Sequence, residues 1–149
     1  MRYFAVGDIH GCYDKLAKLL EIMPYRDDDV IVFLGDYIDR GSESRKVVEY
    51  LIDFRKSRGD DKTVFLSGNH EKMLLDYIAG KNRELFLLNG GEATINQYLK
   101  NGMLEIPEKH LIFFKTLKNI YISESYIFAH AGLMPGVAIE NQREEDLLW

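Results

Sequence analysis

The stretch Gly7-Asp8-Ile9-His10-Gly11-Cys12 (GDIHGC) follows a short apolar run and places an acid and an imidazole one residue apart. The run itself, Tyr3 to Val6, predicts a β-strand. Burial after that strand would favour more valine and isoleucine, so two ionisable side chains at its end need another explanation. The flanking glycines allow positive φ and close backbone approach. Together these features indicate a functional loop at the end of the first strand.

Three later apolar runs end in similar clusters, which are GDYIDRG at 35–41, GNHE at 68–71 and HAGL at 130–133. In open α/β sheets, ligands collect beyond the carboxyl ends of the strands, so loops far apart in sequence share one site. The clusters hold three of the four histidines, with three aspartates and one asparagine: His10, His70, His130, Asp8, Asp36, Asp39 and Asn69. Taken singly, each aspartate or asparagine is more typical of a turn, and each histidine is more typical of a hydrogen-bonded structural role. Their joint pattern favours a site for a divalent ion such as Mn, Fe or Zn.

Short apolar runs alternate with helical periodicity, which predicts an α/β domain. Val30–Leu34 is apolar on both faces, as expected of a central strand in a covered sheet. The remaining predicted strands are Thr63–Leu66, Ile120–Ser123 and Tyr126–Ala129, the last two as a tight hairpin. The predicted helices lie near 13–23, 44–56, 73–80, 83–88 and 93–100, with a further one after Pro107 that carries Leu111, Phe114 and Leu117.

Composition narrows the class of protein. A chain of 149 residues with a net charge of −5 is typical of one domain and argues against a surface built to neutralise nucleic-acid phosphates. No window approaches a membrane span or a signal-peptide core, so we expect a cytoplasmic protein with no membrane partner. Cys12 is the only cysteine, which excludes an internal disulfide and a thiolate zinc site and favours a lone buried thiol.

The four strand-end blocks resemble, in type, order and spacing, the signature blocks of the calcineurin-like metallophosphatases, specifically the phosphoprotein phosphatase branch. Within that branch NGGEAT (89–94), HAGLMPG (130–136) and EEDLLW (144–149) resemble the bacterial serine/threonine phosphatases, a group similar to the symmetric diadenosine tetraphosphate hydrolases. The resemblance covers the whole chain and implies a single domain over 1–149 with the metallophosphatase two-sheet sandwich flanked by helices.

The resemblance also implies a dinuclear metal centre, with manganese favoured and iron or zinc as alternatives. The first metal would be held by Asp8, His10 and Asp36. The second would be held by Asp36, Asn69 and His130, with Asp36 and a hydroxide bridging the two ions. Matching positions assign phosphate binding to Arg40, general acid catalysis to His70 and orientation of the His70 ring to Asp39. Such a centre suits in-line hydrolysis of phosphate esters.

Two further residues receive structural interpretations. Glu71, the last residue of GNHE, is suited to the positive end of the helix that it begins, so we predict a structural role. His110 lies on an ordinary helix without neighbouring ligand types, and we predict that it is solvated.

The resemblance further implies an arginine and a histidine after the DLLW segment, which this chain does not contain. We therefore expect a domain that is incomplete at its C-terminus, with its second metal site short of a ligand and low activity by itself. Leu147, Leu148 and Trp149 would then leave apolar surface uncovered, which predicts self-association through this end.

Three functions remain open at this stage. The motifs favour a metal-dependent phosphomonoester hydrolase that acts on phosphoserine or phosphothreonine in proteins. The alternative is a symmetric dinucleoside tetraphosphate hydrolase, and the second alternative is a non-catalytic metal-binding fragment. The predicted partner is accordingly a phosphoprotein or a small phosphoester.

Overall fold

The computed structural model describes residues 2–149. Its centre is a parallel sheet of β1 (Tyr3–Val6), β2 (Val30–Phe33) and β3 (Thr63–Phe65), in the order β1-β2-β3. The register pairs Val6 with Phe33 and Phe33 with Phe65, so the three strands end in one row. The loops that follow them therefore leave from the same edge of the sheet. All three strands lie where the sequence predicts them, to within one residue at their ends.

Helices cover one face of this sheet. They are α1 (Tyr13–Ile22), α2 (Ser44–Arg58), α3 (Asn69–Ile78) and α6 (Glu108–Lys115). The core beneath them contains Ile31, Phe33 and Phe65, and the two phenylalanine rings stack with centroids 4.8 Å apart. Burying each such side chain contributes about 1.5–3 kcal/mol, so this layer holds the site's scaffold in place.

A hairpin covers the opposite face. β6 (Ile120–Ile122) and β7 (Ile127–Ala129) pair antiparallel, as predicted, and Tyr121 and Phe128 pack against the second face of the sheet. Just before the hairpin, Lys118 forms a parallel bridge with Leu66 beside β3. The result is a layer of helices, a parallel sheet and a smaller sheet, in agreement with the predicted α/β architecture.

The middle of the chain forms α4 (Arg83–Phe86), a π-helical turn at Leu87–Gly91 and α5 (Glu92–Tyr98). The predicted break at the Asn-Gly-Gly segment is present as a kink at Gly90, whose φ is +91°. A short ribbon of β4 (Leu99–Lys100) and β5 (Met103–Leu104) follows, where the sequence predicts the end of a helix and a loop.

The buried stripe of α6 differs from the prediction. His110, Phe113 and Phe114 face inward, whereas Leu111 and Leu117 are only half-buried. Both stripes have helical spacing, and the packing of α6 on α2 decides between them. The prediction that His110 is solvated is therefore wrong: its side chain is fully buried. On α1, similarly, Leu16 and Leu20 are buried but Leu19 lies at the edge of the stripe and is 40% exposed.

The last helix is α7 (Glu144–Leu148). Leu147 and Leu148 are buried and only Trp149 of the apolar end is exposed, so the expected uncovered surface is reduced to one side chain. The Leu147 carbonyl accepts the Ala131 amide at 2.9 Å, which ties this helix to the loop after β7. Cys12 is half-buried rather than buried. Within residues 2–149 no helix combines the length and apolarity that crossing a membrane requires.

Candidate metal and phosphate site

The loops after β1 and β2 are joined directly by backbone hydrogen bonds. The His10 amide donates to the Asp36 carbonyl at 2.8 Å, and the Gly11 amide donates to the Tyr37 carbonyl at 2.9 Å. The third loop approaches through the His70 amide, which donates to Asp36 Oδ1 at 3.2 Å. Three of the four predicted clusters therefore meet at the backbone and side chain of Asp36.

The Asp36 carboxylate lies at the centre of the site and is almost fully buried. Its Oδ2 is 3.5 Å from His10 Nε2, 3.6 Å from His130 Nε2 and 3.9 Å from His70 Nε2. Asp8 Oδ2 lies 3.9 Å from His10 Nε2. Two groups of three residues could each hold an ion, because within each group one ligand atom per residue lies within 4.8 Å of the others. One group is His10, Asp36 and His70, and the other is Asp8, Asp36 and His130. Asp36 belongs to both groups.

Two of these imidazoles are held in one tautomer. His10 Nδ1 is 2.8 Å from the Ile38 carbonyl oxygen, and His130 Nδ1 is 2.8 Å from the Leu34 carbonyl oxygen. A carbonyl can only accept, so each Nδ1 carries the proton and donates it. Each Nε2 is left with a lone pair that faces Asp36. This is how histidine ligands are commonly oriented for a metal ion.

Asn69 is the first residue of α3, between two residues that touch Asp36. Its Oδ1 atom is buried and has no hydrogen-bond partner in the part of the chain that the structure describes. A buried amide oxygen without a partner is costly, and a cation would satisfy it. Oxygen donors from Asp and Asn with imidazole nitrogen form a donor set suited to divalent first-row metals. The residues present therefore fit the metal centre that the sequence predicts.

His70 and Asp39 form a buried pair. His70 Nδ1 lies 2.7 Å from Asp39 Oδ2, and both side chains are at most 1% exposed. Burial acts to lower the pKa of His70, but the hydrogen bond to Asp39 and the negative charges of Asp36 and Asp39 outweigh it. The net result is a raised pKa. The ring is thus oriented by Asp39, whose negative charge stabilises the imidazolium form.

The Arg40 guanidinium spans two of the imidazoles. Nη1 is 3.1 Å from His10 Nε2 and Nη2 is 3.2 Å from His70 Nε2. Arg40 is exposed, so its planar fork is open to an anion arriving from solvent. The arrangement places a permanent positive charge beside both imidazoles.

The backbone of the site is strained. Four of its residues have left-handed conformations without being glycine: His10 at +44°, Asp36 at +55°, Asp39 at +71° and Arg40 at +62°. Such conformations cost about 1–3 kcal/mol each and persist where the surroundings enforce them. The sequence predicts positive φ for the glycines of these loops, whereas the candidate functional residues themselves carry much of the strain.

Glycine is required between the loops because they approach closely. A Cβ atom on Gly68 would lie 2.1 Å from Asp36 Oδ1, and one on Gly41 would lie 2.0 Å from the His10 carbonyl oxygen. Neither neighbour can move without displacing a candidate ligand. The glycines of the GNHE and GDYIDRG blocks therefore have a steric reason for their positions.

Glu71 has a wider structural role than the predicted helix start. Its fully buried carboxylate accepts the amides of Asp36 at 2.9 Å, Tyr37 at 2.8 Å and Gly68 at 2.9 Å. Burial, together with the nearby charge of Asp36, raises its pKa to about 7. Glu71 thus connects the loop that carries Asp36 to the loop that carries Asn69.

Sequence reasoning missed Thr94 and Ser44 near this site. Thr94 Oγ1 lies 2.6 Å from Asp39 Oδ1, and the Asp39 amide donates to Thr94 Oγ1 at 2.9 Å and to Ser44 Oγ at 3.1 Å. Thr94 is the last residue of the NGGEAT block, which is the one signal in the sequence that points to it.

Comparison with known proteins agrees with this geometry. The profile described as calcineurin-like phosphoesterase matches residues 1–149. Among curated relatives, a symmetrical bis(5'-nucleosyl)-tetraphosphatase of Nitrosospira multiformis is 27% identical over 143 residues, covering 94% of this chain and 46% of its own length. A protein of the same name from Salmonella paratyphi A is 31% identical over 155 residues, covering 97% and 48%. The chain spans about half the length of these relatives.

Solved structures give the same result for the fold. A crystal structure described as that of a candidate diadenosine tetraphosphatase matches 98% of this chain and 57% of its own chain, with a TM-score of 0.72 and 27% identity. A metallophosphoesterase from Sphaerobacter thermophilus matches 89% and 47%, with a TM-score of 0.59 and 21% identity, which supports the fold alone.

Proposed function

This chain belongs to the calcineurin-like phosphoesterase family, and from that membership we propose that it provides the metal site of a hydrolase that cleaves symmetric dinucleoside tetraphosphates. The relatives named symmetrical bis(5'-nucleosyl)-tetraphosphatase support this substrate over the phosphoproteins that the motifs first favoured. A symmetric dinucleoside tetraphosphate hydrolase is therefore better supported than a serine/threonine protein phosphatase.

The observation that carries the proposal is the position of three histidine Nε2 atoms within 3.9 Å of one buried carboxylate oxygen, that of Asp36. We propose that two divalent ions, manganese in preference to iron or zinc, are held by Asp8, His10, Asp36, Asn69 and His130. When bound, such ions stabilise negative charge on phosphoryl oxygens and make water a better nucleophile at neutral pH. The unpartnered Asn69 oxygen supports this ligand set.

The remaining residues then act on the phosphoryl group. Arg40 exchanges its contacts with the imidazoles for two phosphoryl oxygens, which orients the phosphorus and offsets its charge. His70 gives the proton on its Nε2 to the departing oxygen, while Asp39 holds the ring through Nδ1 and stabilises the imidazolium before transfer. For a symmetric tetraphosphate, cleavage at the central bridge releases two nucleoside diphosphates.

The direct test is product analysis with the chain and Mn²⁺. Diadenosine tetraphosphate should yield ADP as the sole nucleotide product by anion-exchange chromatography, and a phosphopeptide should be hydrolysed far more slowly. Asp36→Asn should abolish the reaction, whereas the matched surface variant Asp53→Asn should leave it unchanged, because Asp53 is exposed and forms a surface ion pair with Lys56.

Three outcomes would overturn the proposal in different ways. AMP and ATP as products would exclude symmetric cleavage. Hydrolysis of the phosphopeptide without hydrolysis of the nucleotide would restore the protein phosphatase. Manganese binding without turnover of either substrate, or of para-nitrophenyl phosphate, would favour a metal-binding fragment.

A further inference from the structure

Thr94 makes an unusual set of contacts for a buried threonine. Its side chain is fully buried on α5, yet its hydroxyl reaches across 55 positions of sequence to Asp39. The oxygen accepts the Asp39 amide at 2.9 Å and lies 2.6 Å from Asp39 Oδ1, to which it donates its proton. One hydroxyl therefore bonds both the backbone and the carboxylate of the same residue.

The other two threonines of the chain, the buried Thr63 of β3 and the exposed Thr116 after α6, form a different kind of contact. Thr63 Oγ1 donates to the Gly59 carbonyl at 2.7 Å, and Thr116 Oγ1 donates to the Ile112 carbonyl at 2.9 Å. Both bonds span four residues and satisfy a hydroxyl locally, which is the common solution. Thr94 forgoes this solution for a contact with the residue that orients His70.

We propose that Thr94 is a positioning residue that fixes the Asp39 carboxylate so that it can orient His70. This inference rests on the proposed function, since it takes His70 as the proton donor. The Thr94 hydroxyl donates to Asp39 Oδ1 at 2.6 Å, and His70 Nδ1 donates to Asp39 Oδ2 at 2.7 Å. With both oxygens bonded, the carboxylate cannot rotate about its Cβ–Cγ bond, and the imidazole plane is fixed in turn.

The segment before Thr94 also contacts Arg40, the residue that follows Asp39 in the loop after β2. The Gly90 carbonyl accepts the Arg40 amide at 3.3 Å, and a Cβ atom on Gly90 would lie 3.1 Å from Arg40 Cγ. Residues 90–94 therefore pack along Asp39 and Arg40, the two consecutive left-handed residues of this loop. The segment holds in place a conformation that these residues rarely adopt by themselves.

The first test is spectroscopic and needs no turnover. The proton on His70 Nδ1 should give a downfield NMR resonance, identified by its loss in His70→Asn. In Thr94→Val this resonance should shift or be lost through exchange with water, and in Thr94→Ser it should return. The control Thr63→Val also removes a buried hydroxyl and should leave the resonance unchanged, because Thr63 lies at the other end of β3. An unaltered resonance in folded Thr94→Val would overturn the proposal.

The second test compares leaving groups. With Mn²⁺, Thr94→Val should lower kcat on phenyl phosphate about tenfold, as part of the 10²- to 10⁴-fold effect of a general acid, and lower it much less on para-nitrophenyl phosphate. Thr94→Ser should recover the rate. An equal loss on both substrates, or no loss on either, would contradict a positioning role. Failure to cleave dinucleoside tetraphosphates would refute the proposed substrate but leave the resonance and the leaving-group comparison intact.

Discussion

Two groups of histidine contacts in this molecule differ in chemistry, namely those of the half-buried His10 and His130 at the strand ends and those of the fully buried His110 on α6. At the strand-end site, His10 and His130 each use Nδ1 on a backbone carbonyl and turn Nε2 toward Asp36 at 3.5 and 3.6 Å. On α6, His110 uses both nitrogens: Nδ1 accepts the Tyr98 hydroxyl and Nε2 donates to Glu49, each at 2.8 Å.

The difference lies in what remains unpaired. His110, Tyr98 and Glu49 satisfy one another, and Lys109 also pairs with Glu49, so this cluster is complete without a ligand. At the strand ends, Asn69 Oδ1 has no hydrogen-bond partner among residues 2–149, and the Asp36 carboxylate faces imidazole lone pairs. A polar cluster in which every group is paired stabilises a fold, whereas one with an unpaired amide oxygen and imidazole lone pairs beside a carboxylate is suited to bind a cation.

The largest expected effect comes from Asp36→Asn. Removing the carboxylate that both ligand sets share should weaken Mn²⁺ binding by more than the ~10- to 100-fold that outer contacts contribute, and abolish hydrolysis. Titration calorimetry measures the binding. Glu49→Gln is the matched change in the His110 cluster and should leave Mn²⁺ affinity unaltered; equal losses in both variants would erase the distinction between the two groups.

His70→Asn should come next. It should lower kcat by about 10²- to 10⁴-fold on a poor leaving group, because the proton donor is lost, while metal content stays at the wild-type level. Asp39→Asn should have the same effect in milder form. Steady-state kinetics with metal analysis checks both variants. Unchanged turnover in the two of them would remove His70 from the reaction.

Glu71→Gln tests whether the loops behind the ligands matter. Three amides converge on two carboxylate oxygens, so an amide side chain must turn its NH₂ toward at least one of them. We expect Mn²⁺ affinity to fall about 10- to 100-fold, as for other groups that orient ligands. Glu43→Gln is the control, because the partly exposed Glu43 side chain forms an ion pair with Lys46 instead of binding loop amides. Wild-type affinity in Glu71→Gln would show that the Asp36 loop holds its shape without this carboxylate.

His110→Gln should act on stability alone. It breaks two hydrogen bonds in a buried cluster and should lower the free energy of unfolding by about 2 kcal/mol in urea titrations. Mn²⁺ affinity should not change. A loss of affinity without a loss of stability would make His110 part of the metal site.

The smallest effect concerns pH. Burial lowers the pKa of His110, against the partial opposition of its hydrogen bond to Glu49, so the folded state binds this proton less readily than the unfolded state. The neutral His110 side chain contributes its full stabilisation at pH values above its pKa in the unfolded chain, which is about 6.5. This stabilisation is lost as the pH falls below that pKa. The free energy of unfolding of His110→Gln should lie about 2 kcal/mol below that of the wild type at pH 7.5. At pH 5.5 this difference should be smaller by a fraction of that amount. Widening would mean that His110 is charged in the fold.

Much of the fold follows from local pattern. The strands at Tyr3–Val6, Val30–Phe33 and Thr63–Phe65, their helices and the late hairpin could be predicted, because spacing and burial of neighbouring side chains are local properties. The inward stripe of α6 could not, since residues 110, 113 and 114 and residues 111, 114 and 117 both have spacings that place side chains on one face of a helix. The burial of Leu147 and Leu148 likewise depends on the distant loop after β7.

The sequence by itself determined which residue types end each strand, and a parallel sheet brings strand ends together, so Asp8, His10, Asp36, Asn69 and His70 could be placed at one edge from the sequence alone. Only the tertiary structure decided which nitrogen of each imidazole faces Asp36, that Glu71 joins two loops, and that Thr94 reaches Asp39. Those outcomes depend on distances of 2.6–2.9 Å between residues up to 96 positions apart. Such distances are set by the packing of whole elements, and no local pattern encodes them.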